Sequence, residues 1–212
     1  PDPALWCLAP TNFAFGFAAA FLNGNVNATY TKPQLGQAFV GYFSTVTALV
    51  AAIFSQIFGA AAVRLGRKGP FVLVGSLCFM AIPLLVLSVS LDGWGYGLLV
   101  PYVLQGCGRA VYESTNRGVF ADVFPDERVD GAFANQMMQS TLSFTLCFFF
   151  SASFSRSSLA AIILVLAAAM FPGYFAATRL RRSQRSKEQV SSTESTTDSE
   201  AVSSEDTGSE DA

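Results

Sequence analysis

Apolar residues fall into six runs, each close to the ~20 residues that a helix rising about 1.5 Å per residue needs to cross a hydrocarbon core of about 30 Å. The runs cover residues 5–22, 38–62, 71–91, 94–112, 132–154 and 159–178. None shows the short two-residue alternation that strands of a membrane barrel would carry. The pattern predicts an all-α membrane protein, a bundle of six transmembrane helices over residues 1–178. Polar connectors at 23–37, 63–70, 92–93, 113–131 and 155–158 separate the runs and hold nearly all of the charge. Such segments are not stable facing lipid. After Thr178 come a basic stretch, 179–187, and a tail, 188–212, built from Ser, Thr, Glu, Asp and small residues, which has too little apolar surface to fold into a core.

Charge placement predicts orientation. With six crossings, one side of the bilayer collects Arg64, Arg67, Lys68, Arg117, Arg128, Arg179, Arg181, Arg182, Arg185 and Lys187, and the other holds only Lys32 and Arg156. By the positive-inside rule the basic side is cytoplasmic, so both chain ends are expected there, in the plasma membrane or an endomembrane. The triplet Asn27-Ala28-Thr29 is a glycosylation sequon in the first connector, on the side the charges place outside. The basic stretch is suited to the anionic cytoplasmic leaflet, and Ser195 and Ser203 precede acidic residues in the manner of acid-directed kinase sites. A solvated, unmodified tail explains the same composition.

Composition supports the membrane reading: 51% of residues are hydrophobic and only 13% charged, against about 25% charged in an ordinary soluble domain. No basic surface suited to nucleic acid emerges. The chain has no histidine, which removes the H-E-x-x-H zinc site and the Ser-His dyad together. Cys7, Cys78, Cys107 and Cys147 sit in separate apolar runs without C-x-x-C spacing, as small packing residues do, so no metal, cofactor or enzymatic activity is expected. The start at Pro1-Asp2-Pro3, without a basic signal-peptide region, reads as the start of a fragment.

The most specific local pattern is Gly59-Ala-Ala-Ala-Val63-Arg64-Leu65-Gly66-Arg67-Lys68. It resembles the G-x-x-x-D-R-x-G-R-[RK] loop that joins the second and third helices of each six-helix half in the major facilitator superfamily. Val63 stands where the family pattern has its acid, which puts the associated charge relay in doubt. A plain basic loop obeying the positive-inside rule shares part of this pattern. A second stretch, Gly106-Cys-Gly-Arg109-Ala-Val-Tyr112-Glu113-Ser-Thr-Asn116 followed by Ala132-Phe-Ala-Asn135, is similar to the Unc-93-type branch of that superfamily. The resemblance implies one six-helix half, here the C-terminal one, packed against a missing N-terminal half around a central cavity. It also implies one of two activities: a regulator or trafficking partner of other membrane proteins such as ion channels, or a secondary transporter of a small solute or ion.

Physical reading of the fourth run places Gln105, Arg109, Glu113 and Asn116 within about 80° of one helical face. A stripe of this kind faces protein or water. Counted from Trp94, Arg109 lies about 22 Å and Glu113 about 28 Å along the helix, near its expected cytoplasmic end. That depth favours a structural or gating ion pair over direct contact with a solute. Glu113 has Arg109 and Arg117 each four residues away, so spacing allows either partner. Asn135, Gln136 and Gln139 form a second polar group at the start of the fifth run. The other runs hold only scattered Asn12, Thr45, Thr47 and Ser76, which tilts the reading toward a regulator. Small residues at four-residue spacing, among them Gly16-Ala20-Gly24 in the first run and Gly41 to Gly59 in the second, predict close helix contacts.

Overall fold

The computed structural model describes residues 2–124 and 128–205, with side chains for all of these but residue 185 and 188–205. It resolves into two compact units, residues 1–177 and 178–212. The first contains six helices, and among the described residues there is no strand. Helix α1 is Pro3–Leu35 and α2 is Gln37–Leu65. Helix α3 is Gly69–Ser88, α4 covers 95–123, α5 is Val129–Ser151, and α6 is Arg156–Glu205, of which the first unit contains the part up to Ala177. The second unit continues as helix to Glu205, where the sequence reading expects no fold. A helix closes its backbone bonds within the segment and needs no buried core of its own for that. Residues 206–212 lie outside the described residues.

Local chemistry explains the ends. Asp2 accepts a hydrogen bond from Ala4 N at 3.0 Å and Pro3 follows in the first turn, where its missing N–H costs nothing. Gly36, at φ 92°, separates α1 from α2. Gly66, at φ 59°, closes α2 in the left-handed conformation, with its N–H bonded to Val63 O. A side chain at either position would be strained.

Two boundaries differ from the sequence reading. The first helix does not stop near Leu22 but widens into a π-helical segment, Leu22–Thr31, and continues to Leu35. The fourth does not stop at Tyr112 but passes through a π-helical turn, Tyr112–Asn116, and on to Val123. Both continuations are polar, the pattern that marks a connector in sequence alone. Several of their polar side chains find partners inside the bundle, so a helix can carry them through. Four helices, α1, α2, α3 and residues 156–184 of α6, are long and apolar enough to cross a membrane on their own account. The two that fall short, α4 and α5, carry the ion pair and the buried amides Asn116 and Gln139.

In the first unit α1 lies along α5, and α4 is flanked by α2 and α3. The larger core joins Phe17 and Phe21 of α1 to Phe79 and Ile82 of α3, Leu98 and Tyr102 near the start of α4, and Ile163 and Met170 of α6. A smaller core at the other end of the bundle gathers Leu8, Val119, Phe120 and Ala132. Glycine sets the closest contacts. A Cβ on Gly16 would stand 2.1 Å from Ser140 O on α5, and one on Gly106 would stand 2.8 Å from Thr47 O on α2. The expected seam around Gly16 is therefore real. In α2, by contrast, Gly41 meets nothing within 4 Å and Gly59 only the Ser114 Cβ at 3.9 Å, while the tight contact is made by Gly106 of the opposing helix. Sequence spacing identifies small residues without saying which of two facing helices uses them.

Gly16→Ala is expected to destabilise the bundle by about 1–3 kcal/mol, the cost of forcing atoms into a filled contact. Gly41→Ala should be neutral or stabilising by up to about 1 kcal/mol, through helix propensity alone. Thermal unfolding in detergent checks both. Equal effects at the two positions would contradict the packing described.

Candidate functional site

Extension of α4 to Val123 changes the depth of its polar stripe. Arg109 is fourteen residues from either end of the helix, or about 21 Å each way. It therefore lies at the middle of α4 and not near its end, which removes the premise of the depth argument against a solute site. Its Nε donates to Glu113 Oε1 at 2.7 Å. Of the two partners that spacing allowed, the structure selects Arg109, and Arg117 lies exposed one turn further on. An ion pair at this depth avoids leaving either charge uncompensated in a low-dielectric medium.

Toward the other end of α4 a chain of amides ties three helices together. Asn116 Nδ2 donates to Asn12 Oδ1 at 3.0 Å, Asn12 Nδ2 donates to Gln139 Oε1 at 2.8 Å, and Gln139 Nε2 donates to Asn135 Oδ1 at 3.0 Å. A carboxamide both donates and accepts, so each can pass the chain on. The sequence reading singled out Asn116, Asn135 and Gln139 and missed their hub, Asn12, which is fully buried. A lone amide in an otherwise apolar span was the available signal, since it needs a partner. Beside this chain Tyr112 donates to Ser140 Oγ at 3.0 Å and stacks on Phe15, with ring centroids 3.9 Å apart.

Between the ion pair and the end of the bundle that holds Leu98 and Thr31 lies a cavity of about 110 Å³. Its walls are Phe15, Ala19, Leu22 and Asn23 of α1, Ser44 and Thr47 of α2, and Tyr102, Gln105 and Arg109 of α4. Thr47 donates within range of two carbonyls, Phe43 O and Tyr102 O, each at 3.1 Å. The Tyr102 hydroxyl is shared between Thr31 Oγ1, at 2.7 Å, and Asn27 Oδ1. Gln105 is different: it is only 3% exposed, and among the described residues its Oε1 has no donor. Gln105 and Arg109 thus both belong to the cavity wall, with Asn23 and Ser44 exposed beside them.

Contacts at the two ends of the bundle hold this arrangement. At one, Gln34 donates to Leu91 O at 2.9 Å and accepts from Gly95 N at 3.1 Å, and Arg156 contacts the Tyr30 hydroxyl and ring. At the other, Lys68 of the loop between α2 and α3 reaches Asp122 Oδ2 at 2.6 Å and Gly118 O at 2.7 Å. Within that loop motif Gly59 is helical, Gly66 makes the turn, Arg64 and Arg67 are exposed, and so is Val63 in the acidic position. The carboxylate that meets the loop comes from α4. Asn27 is 7% exposed within helix, with Nδ2 bonded to Asn23 O. The sequon asparagine thus lies buried in a helix and not in a polar connector. The side chains of Ser195 and Ser203 lie outside the described residues.

The profile of the Major Facilitator Superfamily matches residues 8–205. The relatives include "Protein unc-93 homolog A" of Bos taurus, 32% identical over 158 residues, which are 73% of this chain and 34% of the relative. The same-named proteins of Xenopus laevis and Mus musculus are 28% identical over 145 residues and 26% over 159, covering 68% and 75% of this chain and 31% and 34% of their own. The chain spans about a third of the length of the curated relatives it matches. No solved structure matches the chain significantly.

Replacing Arg109 or Glu113 singly by Gln strands the other charge, so each change is expected to lower the unfolding temperature in detergent. The double change Arg109→Gln, Glu113→Gln should recover part of the loss, with a coupling of about 0.5–3 kcal/mol. Additive single effects would show that the two groups do not act as a pair.

Proposed function

We propose that this chain, which belongs to the major facilitator superfamily and is Unc-93-like within it, forms one wall of a solute-binding cavity in an integral multi-pass membrane protein. The observation that supports this reading most is the cavity beside Arg109 and Gln105. Before the length of α4 is known, the spans look empty of mid-depth polar groups, and a regulator is the better reading. A guanidinium and an unpartnered amide at mid-depth are what a secondary transporter uses to hold a solute while two halves of the protein rock around it. Because the chain spans a third of its relatives' length, we take the facing wall to come from a homologous half, and this chain to be the C-terminal one. The charge asymmetry supports an orientation with both ends cytoplasmic.

The regulator or trafficking-partner reading draws on one feature. Leu49, Ile53 and Ile57 form an exposed aliphatic ridge at four-residue spacing on α2, a surface on which another membrane helix can lie.

Ser44 and Ile53 are nine residues apart and point to opposite sides of α2. In full-length protein stripped of its native cysteines and reconstituted in vesicles, Ser44→Cys is expected to react with a water-soluble methanethiosulfonate, and Ile53→Cys to stay inert. If Ser44→Cys is as inert as Ile53→Cys, no water reaches the cavity, and the regulator reading takes its place.

A further inference from the structure

We propose that Cys78 and Cys107 are a modification site: lipid peroxyl radicals in the surrounding acyl chains take a hydrogen atom from each thiol and leave an interhelical disulfide. The proposal does not depend on what the cavity holds, because the pair lies on the other side of α4.

Cys78 of α3 and Cys107 of α4 come from separate apolar runs, yet their thiols hydrogen-bond to each other. Glycine explains the approach. A Cβ on Gly108 would stand 2.6 Å from the Phe79 ring, and one on Gly75 would stand 2.9 Å from Val111. Going back along α3 from residue 79 to 75 goes forward along α4 from 108 to 111, the register of two antiparallel helices in close contact. Cys78 and Cys107 adjoin the first of these pairs in sequence, one on each helix. A disulfide needs its two Cα atoms within roughly 7 Å, an approach that glycine-lined helix contacts permit.

Position sets the surroundings. Cys107 is two residues from Gln105 and two from Arg109, so it points about 160° around α4 from either. It is turned away from the cavity and from the half that would face it. Arg109 marks the middle of α4, and Cys107 is only about 3 Å from that level. Cys78 lies midway along α3, a helix long and apolar enough to cross a membrane. Both cysteines are partly exposed, and the exposed neighbours of Cys78 on α3 are aliphatic, Val74 and Leu77. The thiols therefore stand at the depth of acyl chains.

The surroundings choose the chemistry. A structural zinc needs four ligands, and among the described residues no three of His, Cys, Asp and Glu gather. A monovalent soft cation between two thiolates leaves a net negative charge in hydrocarbon, which desolvation opposes. Oxidation by aqueous peroxide starts from a thiolate, a charge opposed in the same way. A thiol that gives up a hydrogen atom creates no charge. Each of two peroxyl radicals takes one hydrogen atom from one sulfur and becomes a hydroperoxide. The two sulfur radicals then pair their electrons in a single S–S bond. Two thiols lose one electron and one proton apiece, two radicals gain them, and every species stays neutral.

The test is oxidation of the full-length protein in liposomes of polyunsaturated phosphatidylcholine, with a lipid-soluble azo initiator under air as the radical source. Unreduced proteolytic peptides are read by mass spectrometry. The Cys78 and Cys107 peptides are expected to leave the free-thiol pool together and to reappear joined, lighter by two hydrogens, and dithiothreitol should restore both. Hydrogen peroxide added to the water around liposomes of saturated lipid should leave them as thiols. Cys78→Ser should leave Cys107 in no disulfide. If the two peptides stay free while the lipid around them is converted to hydroperoxide, the proposal is overturned. It is overturned equally if aqueous peroxide joins them as well as the radicals do. Pairing of Cys107 with another cysteine in Cys78→Ser, as readily as with Cys78 in the wild type, also overturns it, since exposure and not the facing geometry would then select the thiol.

Discussion

A polar group inside hydrocarbon has no water to turn to, and in this chain the resulting demand for internal partners decides which helices meet and how far they run. Asn12 satisfies it by joining Asn116 and Gln139 across three helices. Arg109 and Glu113 satisfy it within one helix. Thr31, Asn27 and Tyr102 satisfy it between α1 and α4 in the opposite half of the bundle. Among the described residues of the cavity wall, Gln105 Oε1 is the buried side-chain acceptor left without a donor. In the cavity wall Thr47 and Tyr102 are committed to protein partners, and Arg109, Gln105, Asn23 and Ser44 stand beside them.

Packing and backbone geometry place that set. Gly16 brings α1 against the Ser140 carbonyl on α5, and Gly106 brings α4 against the Thr47 carbonyl on α2. Both π-helical segments, Leu22–Thr31 and Tyr112–Asn116, hold members of the polar network, Asn27 and Thr31 in one and Asn116 in the other. Wider helical turns re-aim the side chains they carry and recur at functional sites. At the loop between α2 and α3, Lys68 fixes the end of α4 through Asp122 and Gly118. A carboxylate from α4 thus meets the loop whose own acidic position is occupied by Val63.

Much of this was legible in the sequence. Six apolar runs gave the six helices, Gly66 the turn, and four-residue spacing the possibility of the Arg109–Glu113 pair. Two features were not. Hydropathy marks a helix end where polar residues begin, so it ended α1 near Leu22 and α4 at Tyr112, whereas Asn27, Thr31 and Asn116 are polar residues satisfied by tertiary partners. Those partners lie 71 to 104 residues away in sequence, from Thr31 to Tyr102 and from Asn12 to Asn116, beyond any local pattern. The same shortfall bears on the site: a helix ended at Tyr112 puts Arg109 near its end, and one that reaches Val123 puts Arg109 at its middle.

That depth is the point on which the account turns, and electron paramagnetic resonance measures it directly. Nitroxides placed singly at Val100, Leu104, Arg117 and Ala121 of the full-length protein in bilayers report their depth through collision with oxygen, which concentrates in the hydrocarbon, and with a water-soluble nickel chelate. Accessibility to oxygen over nickel is expected to peak between Leu104 and Arg117, with Arg117 still shielded from nickel. If labels at Arg117 and Ala121 were both mobile and as open to nickel as a label in bulk water, α4 would end near Tyr112. Arg109 would then stand at the membrane edge, and the mid-depth cavity would be lost.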